Sequence, residues 1–345
     1  MDSRSDFFSR LNKFKVISII GLAKNVSKTT TLNHIIKYLQ ANHIIGLTSI
    51  GRDGEKYDVI TQLPKPRIHI NKDVYVVTAE QCSKDSEIEM DLVKKTGFNT
   101  PLGEVMIFKT RGSGLIELAG PSINAHISEI IKDLFDLKCD IVLIDGAFDR
   151  NSYATPTISD ATIISTGASV SEDIHQVISI TDHTVKILNL ERENNEEIIN
   201  KSKEIINKAK IGFIRKDNSI KILDLLTALG SAKEINQYLT ENVKYIVING
   251  SVTDQLLESL TKSIKKYKSI TILVEDATKL FISQKTFYKF KKSSGKIKVL
   301  NPIKIIAITV NPTSPNGKNF DKKHFLELLK EKITIPIYDL GPSEY

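Results

Sequence analysis

The chain has 345 residues, 41% of them apolar, and 48 Lys and Arg against 41 Asp and Glu, which gives a net charge of +7 and a pI near 9.0. That length allows a large core and about two domains. No apolar run approaches the ~18 residues of a membrane span, and the opening MDSRSDFFSRLNKF lacks the apolar core and cleavage site of a secretory signal, so a cytoplasmic protein with no membrane partner is expected. Two cysteines, Cys82 and Cys139, with no CxxC, and seven scattered His argue against a disulfide framework or a zinc site.

Residues 1–14 read as a polar lead-in. From Lys15 to Leu39 the string KVISIIGLAKNVSKTTTLNHIIKYL reads as strand, loop and helix. Val16 to Ile20 are apolar and mostly β-branched, as a buried parallel strand requires, while Leu32, Ile35, Ile36 and Leu39 recur at helical spacing on a helix opening at Thr29. A strand feeding a helix through such a loop gathers backbone N–H groups at one point, and that point attracts phosphate. Gly21, Lys24, Asn25, Val26, Ser27, Lys28, Thr29 and Thr30 are the expected phosphate contacts, with Lys28 reaching the β- and γ-phosphates and Thr29 placing its hydroxyl on Mg²⁺. The usual pattern has Gly where Ser27 and Leu22 stand, so the loop is one residue longer on its upstream side. A Ser held at positive φ would cost about 1–2 kcal/mol.

Gly46 to Ile50 is a second expected strand, followed by the long irregular stretch GRDGEKYDVITQLPKPRIHINKD, in which Asp53 is the best placed carboxylate for a further Mg²⁺ contact or a plain turn residue. Val74 to Thr78 is a third strand. Val105 to Lys109 and Leu115 to Leu118 are expected to pair as a hairpin, which would put Glu117 near a strand end as another candidate Mg²⁺ ligand. In CDIVLIDGAFDR, Ile141 to Ile144 deliver Asp145 to the end of a continuous apolar strand. That is the placement of a Walker B carboxylate, bonded to Mg²⁺ directly or through water. Asp149 and Arg150 follow as γ-phosphate sensors or a surface ion pair, and Ala161 to Ser165 is a further strand.

The composition shifts near Leu190, and a boundary is expected there: residues 15–189 as the nucleotide-binding domain and 190–345 as a second α/β half, extending the sheet or forming a client-binding lobe. Its strands are expected at Ile211 to Ile214, Tyr245 to Ile248, Ile270 to Val274 and Ile303 to Val310. Helices are expected from about Thr253 to Lys265, Asp276 to Lys291 and Asp321 to Lys332. KTFYKFKKSSGKIK, Lys285 to Lys298, is either a basic stacking surface for nucleic acid or a Lys-coated helix with inward aromatics, and the second reading is preferred. Asn311, at a strand end before Pro312, could read a purine edge or belong to a Pro- and Asn-rich turn. The expected class is α/β, a mostly parallel sheet flanked by helices in the manner of a P-loop nucleotide hydrolase.

At GLAKNVSKTT, GLTSIGRDGE, IELAGPS, LIDGAFDR and TVNPTSP the sequence resembles the P-loop subunits of reactivases that serve adenosylcobalamin-dependent lysine 5,6-aminomutase. It is more distantly similar to SIMIBI-type P-loop proteins, including dethiobiotin synthetase and the molybdopterin-guanine dinucleotide accessory protein. The resemblance implies a cytoplasmic ATPase that releases damaged cobalamin from an inactivated aminomutase with a partner ATPase resembling the MutS family. Gly21, Lys24, Asn25, Lys28, Thr29 and Thr30 then correspond to the phosphate loop and Asp145 to the Mg²⁺ carboxylate. Glu117 resembles an acidic residue of dethiobiotin synthetase, although Leu118 stands where that family has Gly. ATP is expected over GTP, and self-association stays open. A small-molecule synthetase or kinase and a non-hydrolysing nucleotide-binding module are the alternatives.

Overall fold

A computed structural model describes residues 3–53, 67–146, 158–225, 232–267 and 270–342. The chain divides into two compact units, one formed by residues 1–182 with 304–345 and the other by residues 183–303.

The first unit begins with helix α1 (Ser3–Leu11), strand β1 (Val16–Gly21), α2 (Lys28–Leu39), β2 (Ile45–Ser49), β3 (Gly51–Asp53), β4 (Ile68–Ile70), β5 (Tyr75–Ala79) and α3 (Glu80–Lys84). It continues through β6 (Met90–Thr100), β7 (Gly103–Thr110), β8 (Gly114–Ile116), β9 (Leu118–Gly120), α4 (Asn124–Asp136), β10 (Ile141–Asp145) and β11 (Ala161–Gly167). Helix α5 (Ile174–Leu188) leads into the second unit. That unit holds α6 (Glu196–Lys208), β12 (Ile211–Arg215), β13 (Ile220–Leu223), α7 (Ala232–Tyr238), β14 (Val243–Ile248), β15 (Val252–Thr253), α8 (Asp254–Tyr267), β16 (Thr271–Val274), β17 (Leu280–Phe281), α9 (Gln284–Lys292) and β18 (Lys296–Val299). The chain then returns to the first unit as β19 (Ile305–Asn311), α10 (Lys322–Lys332) and β20 (Ile337–Tyr338).

Nine strands of the first unit form one sheet in the order β20-β19-β11-β1-β10-β2-β5-β7-β6. Every neighbouring pair from β20 to β5 is parallel, and β7 runs antiparallel to both β5 and β6. Parallel neighbours bring their carboxyl ends to one edge. There Ile19 of β1 lies beside Asp145 of β10, Asp145 beside Ser49 of β2, Gly21 beside Ser165 of β11, and Gly167 beside Asn311 of β19.

The sheet is covered on both faces, which is why its central strands read as unbroken apolar runs. On one face Ile17, Ile19, Leu47, Leu143 and Ile163 share a core with Leu32, Ile35, Ile36 and Leu39 of α2 and with Phe7 and Leu11 of α1. On the other, Val16, Val77, Ile107, Val142 and Ile144 pack with Ile127, Ile130, Ile131 and Leu134 of α4. Each such side chain contributes about 1.5–3 kcal/mol. In the second unit a five-stranded sheet runs β13-β12-β14-β16-β18, with β12 antiparallel to both neighbours and β14, β16 and β18 parallel.

Three expectations are corrected. The second half is not residues 190–345: it is an insertion of residues 183–303, because β19 pairs with β11 of the first sheet. Val105 to Lys109 and Leu115 to Leu118 do not make a hairpin. β7 pairs with β5 and β6, while β8 pairs with β4 and β9 with β3. The continuous helix expected from Asp276 to Lys291 is broken, since the Asp276 carboxylate caps only a short 3₁₀ turn (Ala277–Lys279) and Ser283 caps α9 by accepting from the Thr286 N–H.

In the basic stretch Lys285 to Lys298, Phe287 and Phe290 are buried, and exposed Tyr288 takes a hydrogen bond from Lys186 through its hydroxyl. Aromatics turned inward on a Lys-coated helix leave no row of faces for stacking bases.

Candidate functional site

The site is built where β1 ends. Its last residue, Gly21, is buried, and a Cβ there would come within 3.0 Å of Val26 Cγ2 and 3.3 Å of the Ala23 carbonyl. The missing side chain lets the loop from Leu22 to Ser27 fold back with Val26 tucked in at 2% exposure. Leu22 N–H is held by Ser165 O of the neighbouring strand at 2.9 Å. Two loop residues, Asn25 at φ 59° and Ser27 at φ 63°, sit in the left-handed region. Ser27 therefore takes the backbone conformation that Gly supplies in the common pattern. Asn tolerates it through its short polar side chain, and Ser adopts it at a cost of about 1–2 kcal/mol.

Helix α2 begins at Lys28. Its N-cap, Ser27, makes no side-chain capping bond, and no acidic residue occupies the first turn. The partial positive charge of that helix end thus meets no carboxylate from its own sequence. Thr29 and Lys28 are half-buried here and Thr30 is buried.

Lys28 Nζ lies 2.9 Å from Asp145 Oδ1, with side-chain exposures of 10% and 0%. The same ammonium donates to Gly146 O. Asp145 reaches this position as the last residue of β10, in register with Ile19 and Ser49, and its own carbonyl accepts from Ile50 N–H at 3.0 Å. Gly146 follows tightly: its N–H donates to Ile19 O at 2.9 Å, and a Cβ would stand 2.8 Å from that oxygen. A carboxylate buried so deeply requires a cationic partner, and Lys28 supplies it.

On the far side of the loop a hydroxyl chain ties α2 to the sheet. Thr31 Oγ1 donates to Thr309 Oγ1 at 2.9 Å, and Ser165 Oγ lies 2.9 Å from the same atom, all three residues being buried. Asn311, at the end of β19, accepts with Oδ1 from Thr313 N–H at 3.0 Å and donates with Nδ2 to Asn25 O at 3.4 Å. Ser169 Oγ donates to that same carbonyl at 3.1 Å.

The expected phosphate-loop residues Gly21 to Thr30 are thus contiguous with Lys28, Asp145 and Asn311 in one cluster at the carboxyl edge of the sheet. The other two carboxylates stand differently. Glu117, between β8 and β9, is half-buried; its carbonyl accepts from Thr78 Oγ1 of β5 and its Oε1 lies 3.8 Å from Cys82 Sγ. Asp53 ends β3 opposite Leu118, and its side chain lies outside the described residues, as do Asp149 and Arg150. Among the described residues no cluster of three or more His, Cys, Asp or Glu could hold a metal ion unaided. The sequence patterns do not single out Ser165, Ser169, Thr31 or Thr309 as site residues. For Ser165 and Thr309 the signal is a hydroxyl inside an apolar run, in IISTG and AITVN, which single-strand periodicity does not distinguish from a tolerated core Thr or Ser.

Models of known protein families and curated proteins were compared with the chain, and neither comparison finds a match.

Proposed function

We propose that the chain binds a nucleoside triphosphate, ATP in preference to GTP, together with Mg²⁺, and hydrolyses it, as a P-loop protein of SIMIBI-like type. The observation that carries this reading is the buried pair between Lys28, at the loop-to-helix junction, and Asp145, at the end of the adjacent parallel strand. The residues fit both groups. A loop with two left-handed residues leads into a helix end free of acidic side chains, which suits phosphate oxygens. Thr29 and Asp145 offer the hard oxygens that Mg²⁺ takes, one or two from protein and the rest from phosphate and water.

Charge balance links the two. Lys28 neutralises buried Asp145 in this structure, and an ammonium that turns to phosphate leaves that carboxylate in need of another cation. Mg²⁺, when bound, supplies that charge and withdraws electron density from the phosphoryl oxygens. Lys28 orients the phosphates, the loop excludes bulk water around them, and Asp145 holds the cation's side of the site.

The resemblance to aminomutase reactivase subunits supports coupling of this hydrolysis to release of damaged cobalamin from an adenosylcobalamin-dependent aminomutase, with a MutS-like partner ATPase and a cytoplasmic location. Among the described residues no helix is long and apolar enough to cross a membrane. The test is a thermal-shift panel of ATP, ADP, GTP and GDP with and without Mg²⁺, followed by phosphate release from the preferred triphosphate. A ligand at 100 times its dissociation constant adds about 2.7 kcal/mol. Mg²⁺-dependent stabilisation by ATP with turnover, both lost in Lys28→Ala, is the expected outcome. Turnover unchanged in Lys28→Ala overturns the reading, and phosphate release only when a metabolite is added turns it towards a synthetase or kinase.

A further inference from the structure

The carbonyl of Asn25 is gripped from outside the loop by two side chains that come from different strand ends. Ser169 follows β11 and Asn311 closes β19, and they donate to the one oxygen at 3.1 and 3.4 Å. The orientation of the Asn311 amide is set by its neighbours. Thr313 offers both its backbone N–H, at 3.0 Å, and its hydroxyl, at 2.7 Å, to Oδ1, so the NH₂ end must face Asn25. The Asn311 backbone is fixed as well: its carbonyl accepts from Ala168 N–H at 2.9 Å, and a Cβ on Gly167 would stand 2.1 Å from that oxygen.

What is gripped is the strained part of the loop. Asn25 and Ser27 flank Val26 in left-handed conformations that a free chain abandons unless its surroundings hold it. We propose that Asn311 and Ser169 are positioning residues that clamp the Asn25 carbonyl and so keep the loop in the shape that receives phosphate oxygens. The proposal rests on the phosphate-loop reading above. It gives Asn311 a role different from purine recognition, since Thr313 fills both acceptor positions of Oδ1 and one N–H is spent on Asn25.

The test uses the full chain and two probes, Mg·ATP and inorganic tripolyphosphate, the second of which has no base. Asn311→Asp keeps the acceptor for Thr313 and deletes the donor to Asn25 but adds a negative charge, so its loss counts only together with that of the neutral Ser169→Ala, which deletes the other donor; Ser169→Thr retains a hydroxyl. Asn311→Asp and Ser169→Ala are each expected to weaken both probes by about three- to tenfold. Ser169→Thr should bind as the unaltered chain does, and the ligand-free thermal midpoints should stay close together. A loss confined to Mg·ATP makes Asn311 a base reader and overturns the clamp, as does unchanged affinity in Ser169→Ala. If Asn311→Asp does not fold, the comparison of Ser169→Ala with Ser169→Thr decides. Failure of the unaltered chain to bind either probe removes the phosphate-loop reading and the clamp together, whereas binding that Ser169→Ala leaves intact removes the clamp alone.

Discussion

A buried Lys28–Asp145 pair makes an unusual demand on two single residues. Deleting one partner leaves an unpaired charge at a nearly buried site, at a cost of about 3–5 kcal/mol, whereas replacing both with apolar groups of similar volume is often neutral. Lys28→Met and Asp145→Leu are therefore expected to destabilise singly by that amount, and the double variant by much less, as measured by urea unfolding. Additive losses would mean that the two side chains do not interact. Ser27 supports a prediction of opposite sign. At φ 63° a Cβ is a burden, so Ser27→Gly should gain about 0.5–1 kcal/mol after the entropy that Gly adds to the unfolded chain, and Ser27→Val should lose stability. Burial pushes the Cys139 thiol up to about 12, with Asp140 adding to the rise, so the native protein should leave Cys139 unalkylated at pH 8.

At the scale of elements, one carboxylate staples the second unit. Glu193 is 4% exposed and accepts from the N–H groups of Asn194 and Asn195 at 3.0 and 3.1 Å; it also accepts from Tyr245 Oη of β14 at 3.0 Å and lies 3.3 Å from Lys298 Nζ of β18. Burial by itself would raise its pKa, but the Asn195 N–H, the Tyr245 hydroxyl and Lys298 outweigh it and hold the carboxyl below the usual carboxylate range. A depressed folded-state pKa adds stability that is present above the unfolded value, about 4.3, and lost as pH falls through the folded one. Glu193→Gln should therefore cost about 1–3 kcal/mol at pH 7 and less as the pH drops below 4. A penalty that grew towards acid would contradict the assignment.

Elements of this kind were legible in the sequence when one strong local pattern defined them. β1, β10, β11 and α2 follow from runs of β-branched residues or helical spacing, and Lys28 and Asp145 from their fixed offsets to those runs. β6 did not, because its Asp91, Leu92, Val93, Lys94 and Lys95 are exposed and show no inward alternation. The expected hairpin failed for a related reason: β8 and β9 are three-residue strands whose partners, β4 and β3, lie far off in sequence, and no periodicity within a strand names its partner.

For the whole molecule the same limit hid the insertion. The run that becomes β19 looks like any buried parallel strand, and nothing in Ile305 to Val310 says whether its neighbour is the preceding β18 or the distant β11. The consequence is testable by calorimetry. Two units with separate cores should each contribute to unfolding, and on the proposed function Mg·ATP should raise the transition of the unit formed by residues 1–182 and 304–345, which holds the loop and Asp145.

The direct measurement is the affinity of the full chain for ATP, titrated with excess Mg²⁺ and again after chelation, for the unaltered protein and for Asp145→Asn. If Lys28 and the cation share the charge of Asp145 in turn, the unaltered protein loses affinity by at least about tenfold, or 1.4 kcal/mol, on chelation, and Asp145→Asn, with no charge to neutralise, shows little dependence on Mg²⁺. Saturable binding that is equally indifferent to Mg²⁺ in both proteins, or no binding in either, would contradict it.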